Sequence, residues 1–232
     1  MAQYDSFAPD YDAWAADMID DVQWYVSLAR EANGPIVELA VGTARVAAAI
    51  AHETGQRVIG IDESPAMLAL ARRRTEGLPV ELHEGDMRDL AVDEPVPLVI
   101  CPGRSLMHLP TWADKRRVFE RVAAALQPGG RFAFNVFAMS PMFAAALHDK
   151  RVEKPDGRWE HNRYVPADSR LELSRGRGDD LLGVLHIWWS SKSEWEGLID
   201  VAGLEVEALY GGCNREPFDD DALEMVWVAK KA

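Results

Sequence analysis

The chain has 232 residues and a formal net charge of -13 at pH 7, which argues against DNA or RNA as a partner because nucleic-acid affinity depends on clustered Lys and Arg. Hydrophobic residues make up 48% of it, enough for a full core, but no apolar run reaches the roughly 18 residues of a membrane span. The N-terminus lacks the apolar core of a signal peptide, and Cys101 and Cys213 lack disulfide or zinc-ligand patterning, so a cytoplasmic, membrane-free single domain over 1–232 is expected.

Aromatic residues mark the first 33 positions. Their spacing is typical of short amphipathic helices, and they are Tyr4, Phe7, Tyr11, Trp14, Trp24 and Tyr25. Asn33-Gly34-Pro35 then favours a turn, which ends this region.

Strand and helix patterns alternate from position 36 onward. Apolar strands are predicted at 36–40, 57–61, 80–83, 97–101 and 131–137, with helices at about 44–52, after Ser64, and at 112–126. Ser64 is expected to cap its helix with Pro65 in the first turn, and 127–130 (Gln-Pro-Gly-Gly) is a strong helix stop. Continuous apolar strands joined by helical crossovers predict an α/β fold, with a mostly parallel sheet covered by helices on both faces.

The pattern changes after Phe137. Residues 159–165, 170–175 and 182–189 are typical of antiparallel strands, with a turn at 176–179, so 139–190 is interpreted as a β insertion. Ser193 is predicted to cap a helix that extends to about 202. Strands at 204–210 and 222–229 follow without a helix between them, which predicts a seven-stranded sheet with a reversed C-terminal strand.

Three turns share the sheet edge where ligands of open parallel sheets bind. In the first turn, residues 38–44, Gly42 allows close approach of a ligand to the backbone. Asp62 ends the second strand and can accept hydrogen bonds from a ribose diol, although capping of the next helix is an alternative. Asp86 and Met87 follow the third strand, and Met67 offers either apolar surface to an adenine or ordinary core packing.

In this order the turns resemble those of the class I, Rossmann-like methyltransferases that use S-adenosylmethionine (SAM). The likeness covers roughly 4–137 and includes the segments 60–68 (Gly-Ile-Asp-Glu-Ser-Pro-Ala-Met-Leu) and 126–131 (Leu-Gln-Pro-Gly-Gly-Arg). It implies SAM as the cofactor and residues 1–33 as a helical lid over it. The residues that it implies at the cofactor are Tyr11, Glu38, Ala40, Gly42, Asp62, Glu63, Met67, Asp86, Met87, Cys101 and Gly103. The departure is alanine at 40 and 44, where the extra methyl is tolerated if the backbone has negative φ.

The segment 101–109 after the fourth strand is similar to that of small-molecule N-methyltransferases, including those of amino sugars. In those enzymes a His at the position of His108, with an N-terminal Tyr, lies near the acceptor amine. The resemblance therefore implies His108 and Tyr11 as catalytic candidates. A structural His at the Leu109-Pro110 turn and simple helix packing of Tyr11 are the alternatives.

Acceptor selectivity is expected from the insertion, where aromatic and charged side chains alternate along the strands. Alternation places Trp159, His161 and Arg163 in one row on one face, and His186 and Trp188 in a second row on another. A pocket roof formed by these side chains is one interpretation, and Trp188 and Trp189 in the core and at an interface is the other. No third ligand accompanies His161 and His186, so no metal is expected.

The favoured function is methyl transfer to an amine or hydroxyl of a small-molecule metabolite. A SAM-binding partner or sensor without transfer activity is the alternative. A nucleotide-dependent oxidoreductase is disfavoured, because the first turn lacks the glycine spacing that a pyrophosphate contact needs. The sequence does not fix the oligomeric state, and a homodimer stays open.

Overall fold

The computed structural model describes residues 3–6, 8–17 and 20–232; Met1, Ala2, Phe7, Met18 and Ile19, including the prediction for Phe7, lie outside them. Within the described residues the helices are α1 Ala8–Trp14, α2 Asp20–Glu31, α3 Arg45–Thr54, α4 Pro65–Arg74, α5 Trp112–Ala125, α6 Pro141–Leu147 and α7 Lys192–Val201. The strands are β1 Ile36–Leu39, β2 Val58–Asp62, β3 Val80–Glu84, β4 Val96–Cys101, β5 Leu126–Phe137, β6 Lys150–Glu153, β7 Arg158–Val165, β8 Arg170–Arg177, β9 Asp180–Trp188, β10 Leu204–Tyr210 and β11 Glu224–Lys231.

The central sheet has seven strands in the order β10-β11-β5-β4-β1-β2-β3. Strands β1 to β5 run parallel, whereas β11 pairs antiparallel with both β5 and β10. The predicted mostly parallel sheet with a reversed C-terminal strand is therefore confirmed. The order reverses between β1 and β4, which is the switch point where open α/β sheets bind their ligands.

Helices cover both faces of this sheet, as predicted. Alternate residues of β1 enter different cores, since Ile36 packs with α2, α3 and α4 while Val37 and Leu39 pack with α5 and α7. Four fully or almost fully buried aromatic rings, Phe119, Phe132, Phe134 and Trp195, interlock in the second core at centroid separations of 5.0 to 6.2 Å.

Residues 141–188 form α6 and a second, antiparallel sheet in the order β6-β7-β8-β9, so β9 is an edge strand. This insertion sheet (β6–β9) agrees with the predicted strands, but α6 and β6 were not predicted. The four residues of β6 are all exposed and show no apolar alternation, so no local pattern marks this strand. Only its pairing with β7 defines it.

Two local predictions are corrected by the structure. The cap of α7 is Ser191 and not Ser193, because Ser191 accepts from the Glu194 N–H and forms a full capping box with the Glu194 side chain. Strand β5 begins at Leu126 and not at 131: Leu126 pairs with Val96 and Arg131 with Leu98, so residues 127–130 bulge out of the strand.

Candidate active site

A cavity of about 290 Å³ lies at the carboxyl edge of the central sheet, beside the switch point. Turns from four strands converge on it, and so do the N-terminal segment and the end of β9. Its lining residues are Gln3, Tyr4, Tyr11, Ala40, Gly42, Ile61, Asp62, Glu63, Met67, Gly85, Asp86, Met87, Arg88, Gly103, Ser105, His108, Leu109, Pro110 and Trp188.

The turn after β1 has an unusual backbone. Ala40, Gly42 and Ala44 all have positive φ, of 51°, 55° and 59°. The condition of negative φ at the two alanines is therefore not met, and both hold a conformation that costs an L-residue about 1–2 kcal/mol. Apart from its chain neighbours, a Cβ added to Gly42 would meet no atom closer than the Ala40 carbonyl oxygen at 4.0 Å, so the space over this turn is open to a ligand.

Asp62 joins the first two turns. Its Oδ2 accepts from the Gly42 N–H at 2.8 Å and its Oδ1 from the Ser64 N–H at 2.9 Å. Ser64 caps α4 as predicted, accepting from the Met67 N–H. Burial raises the pKa of Asp62, and the two backbone N–H groups oppose that shift. Asp62 lines the cavity, and each of its carboxylate oxygens can accept a further hydrogen bond, such as one from a ribose hydroxyl.

Asp86 and Arg88 line the cavity after β3. Asp86 caps the short 3-10 turn Met87–Asp89, and its carboxylate also binds the Arg88 guanidinium, whose other end reaches Asp114 at 2.8 Å. These hydrogen bonds hold the pKa of Asp86 below its usual value. Asp86 is thus a fixed, charged acceptor at the wall.

His108 also lines the cavity, in the 3-10 turn Ser105–His108. Its Nδ1 is 3.0 Å from the His186 carbonyl oxygen, which can only accept, so Nδ1 carries the proton. In the neutral ring Nε2 is then an acceptor, and the Tyr4 hydroxyl 2.7 Å away donates to it. Burial lowers the pKa of His108 to about 4, so the ring is neutral near pH 7.

Residues 3–6, here called the N-terminal strap, lie beside the cavity, which Gln3 and Tyr4 line. Tyr4 contacts His108 and, edge-on, the ring of Tyr11 with centroids 5.6 Å apart. Gln3 Oε1 accepts from the His186 N–H at 2.7 Å, while Asp5 accepts from the Ser64 hydroxyl at 2.6 Å. The strap therefore spans from the Asp62 side of the cavity to the insertion sheet.

Most of the residues predicted for the site come together at this cavity. Ten of them line it: Tyr11, Ala40, Gly42, Asp62, Glu63, Met67, Asp86, Met87, Gly103 and His108. Glu38 and Cys101 do not; both are buried in the strands behind the wall, and burial raises the pKa of each. Tyr4, which the sequence marks as part of the opening segment, is also at the wall.

The predicted roof is corrected in part. Cross-strand pairing puts Arg163, Glu172 and His186 directly opposite one another, so the two predicted rows of side chains share one face of the insertion sheet. Of the five roof candidates only Trp188 lines the cavity. Trp159 instead packs against Gly176, where a Cβ would come within 2.1 Å of its ring.

Sequence reasoning did not single out Gln3, Arg88 or Pro110 at the cavity. Arg88 follows Asp86 by two positions, a spacing that fits a local ion pair but carries no site signal. Gln3 reaches the cavity only because the chain turns back over the sheet, which no local pattern reports.

In the part of the chain that the structure describes, no group of three or more His, Cys, Asp or Glu side chains is arranged to hold a metal ion. Over the same residues, no helix is long and apolar enough to cross a membrane.

The chain is similar to known proteins in a family model, in overall sequence and in fold. Residues 36–130 match a family model described as a methyltransferase domain. The dTDP-3-amino-3,4,6-trideoxy-alpha-D-glucopyranose N,N-dimethyltransferase of Streptomyces venezuelae is 30% identical over 214 residues, covering 88% of this chain and 87% of that protein. The dTDP-4-amino-2,3,4,6-tetradeoxy-D-glucose N,N-dimethyltransferase of Saccharopolyspora spinosa is 32% identical over 215 residues, covering 87% and 83%. A SAM-dependent methyltransferase from Clostridium acetobutylicum has the same fold, with a TM-score of 0.83 at 16% identity over 99% of both chains.

This chain belongs to the SAM-dependent methyltransferases. The described residues suit that cofactor: the open turn at Gly42, the paired acceptor oxygens of Asp62 and the fixed carboxylate of Asp86 lie around one cavity. The protein is thus a methyl-transferring enzyme, and the alternative of a binding protein without transfer activity is not favoured.

Proposed function

We propose that this enzyme methylates the amine of a small-molecule acceptor, and that the acceptor lies between His108 and the N-terminal strap. The observation that carries the proposal is the state of His108, a neutral ring that lines the cavity and whose Nε2 is a hydrogen-bond acceptor, bonded in this structure to the Tyr4 hydroxyl. Both relatives described above are named as N,N-dimethyltransferases of amino sugars, which supports an amine as the acceptor group.

His108 suits an amine better than a hydroxyl. An alcohol must lose its proton to become a strong nucleophile, and an efficient base for that step has a pKa near the working pH. Burial lowers the pKa of His108 to about 4, which makes it a weak base. A neutral amine already has a lone pair, so it needs only to be held in line.

We assign His108 the task of orienting the amine. One N–H of the acceptor donates to Nε2 in place of the Tyr4 hydroxyl, which turns the nitrogen lone pair away from the ring and toward the cofactor side of the cavity. Every round of transfer then requires an N–H on the acceptor. A primary amine is methylated at most twice, with the ammonium product losing a proton to water after each transfer, and a tertiary amine is not a substrate.

The cofactor residues are assigned in the same proposal. Asp62 would hold the ribose diol, Asp86 with Met87 the adenine, and Ala40 and Gly42 the methionine part, with Glu63, Met67 and Gly103 completing the wall. Tyr11 would close over the cofactor beneath Tyr4, while Glu38 and Cys101 would act only from behind the wall. When bound, SAM supplies a methyl group on a positively charged sulfur that is already activated for displacement.

The test is turnover with SAM across matched acceptors: primary, secondary and tertiary amines and an alcohol on the same sugar-like scaffold, read out by mass. We expect the primary and secondary amines to gain methyl groups up to the dimethyl product. Methylation of the alcohol, or of the tertiary amine, at comparable rates would contradict the proposal.

A pair of variants tests the role of His108. His108→Asn keeps a side-chain N–H for the His186 carbonyl but removes the atom at Nε2, whereas His108→Gln places an amide oxygen near that position. Turnover is expected to fall by about tenfold or more in His108→Asn, the effect of one lost orienting hydrogen bond, with partial recovery in His108→Gln. Equal activity of His108→Asn and wild type would remove His108 from the acceptor site.

A further inference from the structure

We infer that Gln3 is a positioning residue for His108, acting through the backbone of His186; the inference rests on the proposed role of His108 at the acceptor. Gln3 hydrogen-bonds to the His186 N–H of the insertion strand, so its effect on His108 passes through the His186 backbone. None of the sequence patterns points to this residue.

The first step is the edge of β9 that no other strand of the insertion sheet pairs with. Because β9 is the last strand of the insertion sheet, its outward N–H and C=O groups have no neighbouring strand to pair with. At His186 both of these groups bond to side chains from outside the sheet: the N–H donates to Gln3 Oε1 at 2.7 Å and the C=O accepts from His108 Nδ1 at 3.0 Å. One residue of β9 thus links the strap to the loop after β4.

The second step is the closed ring of contacts that results. Gln3 bonds to His186, His186 to His108, and His108 Nε2 accepts from Tyr4, which is the chain neighbour of Gln3. The strap therefore controls both nitrogens of the imidazole, Nε2 directly and Nδ1 through the His186 carbonyl. Such a ring fixes the tautomer that leaves Nε2 as the acceptor.

The third step is that β9 has another anchor to the core. Lys115 of α5, which is 3% exposed, donates to the Trp188 carbonyl at 3.1 Å and to the Ser190 hydroxyl at 2.8 Å. These bonds hold the end of β9 two residues beyond His186. Loss of the Gln3 contact should therefore shift the His186 peptide without detaching the strand.

The experiment compares two substitutions at Gln3 with a matched control. Gln3→Met keeps the side-chain length but removes the acceptor oxygen, Gln3→Glu keeps an oxygen for the His186 N–H, and Gln23→Met makes the same change at an exposed glutamine on α2. Each is assayed for kcat and for KM of both substrates at fixed pH. The ring nitrogens of His108 are also observed by ¹⁵N NMR in the full chain without acceptor.

In Gln3→Met we expect the KM for the amine to rise about fivefold to tenfold, the effect of one hydrogen bond, while the KM for SAM stays within about twofold. The ¹⁵N signals of His108 should move from the single Nδ1–H tautomer toward a mixture of tautomers. Gln3→Glu should recover most of both effects, and Gln23→Met should match wild type.

An unchanged His108 tautomer in Gln3→Met, or equal defects in Gln3→Met and Gln3→Glu, would overturn the inference. The NMR readout needs no acceptor, so it separates this inference from the proposed function. If amines prove not to be substrates but the tautomer still responds to Gln3→Met, the acceptor class is wrong and the positioning role stands.

Discussion

His108 carries its ring proton on Nδ1, and its pKa lies far below the ordinary value for histidine. The pKa falls from 6.5 to about 4 because burial disfavours the imidazolium. In the unfolded chain the ring takes up a proton as pH falls through 6.5, whereas in the folded chain it resists until about pH 4. Protonation therefore favours the unfolded state. As the pH falls from 6.5 to about 4, protonation of His108 lowers the free energy of unfolding.

We expect this loss to reach about 3 kcal/mol at most across the window. The measurement is chemical unfolding of wild type and His108→Gln at intervals from pH 7 to pH 4. The wild type should lose more free energy of unfolding than the variant, because glutamine does not titrate. Parallel pH profiles for the two proteins would show that His108 titrates normally.

Ala40 offers a test of backbone strain in the first turn. Its φ of 51° suits glycine, and this conformation costs alanine about 1–2 kcal/mol. Glycine avoids that cost, but it loses more backbone entropy than alanine on folding, which offsets part of the gain. Ala40→Gly should therefore raise the free energy of unfolding by roughly 0.5–1 kcal/mol. Ala49→Gly in the middle of α3 is the matched control and should lower it by about 1 kcal/mol. Destabilisation by both changes alike would mean that the turn is unstrained.

Asp62 is expected to contribute to cofactor affinity. Its two oxygens already order the first turn through Gly42 and Ser64, so Asp62→Ala removes both the turn geometry and the acceptors for a ribose. Titration calorimetry with S-adenosylhomocysteine should show binding weaker by about 1–3 kcal/mol. Asp89→Ala, at an exposed carboxylate paired with Arg117, should bind as wild type does. Equal affinity of Asp62→Ala and wild type would exclude Asp62 from the site.

At the scale of elements, the N-cap of α7 lies two residues before the predicted Ser193. Both Ser191 and Ser193 precede the apolar positions of the helix, but only Ser191 completes the capping box with Glu194. Ser191→Ala should lower the free energy of unfolding by about 1 kcal/mol, the usual value of an N-cap. Ser193→Ala, at the second helical position, should change it by less than about 0.5 kcal/mol. A larger effect at Ser193 would reverse the assignment.

The elements that the sequence predicted best are those with strong local signals. Apolar runs mark β1, β2 and β4, and Ser64-Pro65 marks the start of α4, so the parallel sheet and its crossovers could be predicted. The exposed strand β6 could not, since its pairing with β7 is a tertiary contact. The helix α6 does have a local signal, because Ser140 accepts from the Phe143 N–H and Pro141 occupies the first turn, as at Ser64-Pro65.

In the candidate site, too, residues with a local sequence signal could be predicted and residues placed by tertiary contacts could not. Turns that leave predicted strands had to converge at one sheet edge, and Gly42, Asp62 and Asp86 do. The failures concern residues whose place depends on long-range packing. Trp159 turns to the small surface of Gly176 rather than to the cavity, and Gln3 reaches His186 across 183 positions of sequence.

At the scale of the whole molecule, the N-terminal region connects the central sheet to the insertion sheet. Asp12 of α1 accepts from the Thr43 hydroxyl in the turn after β1, while Asp10 pairs with Arg177 of β8 at 2.6 Å. The ring of Trp14 faces the guanidinium of Arg175, 5.3 Å from the ring centroid. The strap and α1 thus contact both the turns that leave the central sheet and the strands of the insertion sheet.

These contacts predict which backbone amides become protected from hydrogen exchange when a ligand binds. A ligand that binds only the folded protein adds about 2.7 kcal/mol of stability at one hundred times its dissociation constant. Because the strap bonds to both Ser64 and His186, S-adenosylhomocysteine should slow hydrogen exchange not only at the Gly42 amide, which bonds to Asp62, but also at the His186 amide, which bonds to Gln3.

The measurement is amide hydrogen exchange with and without S-adenosylhomocysteine, with α6 as an internal reference because none of its residues lines the cavity. Slower exchange is expected at Gly42 and His186 and little change in α6, and Asp62→Ala at the same ligand concentration should lose most of the gain. Protection at Gly42 with unchanged exchange at His186 would show that the insertion sheet responds independently of the cofactor side. In that case the strap would not couple the two halves of the cavity, and acceptor binding should be insensitive to bound cofactor.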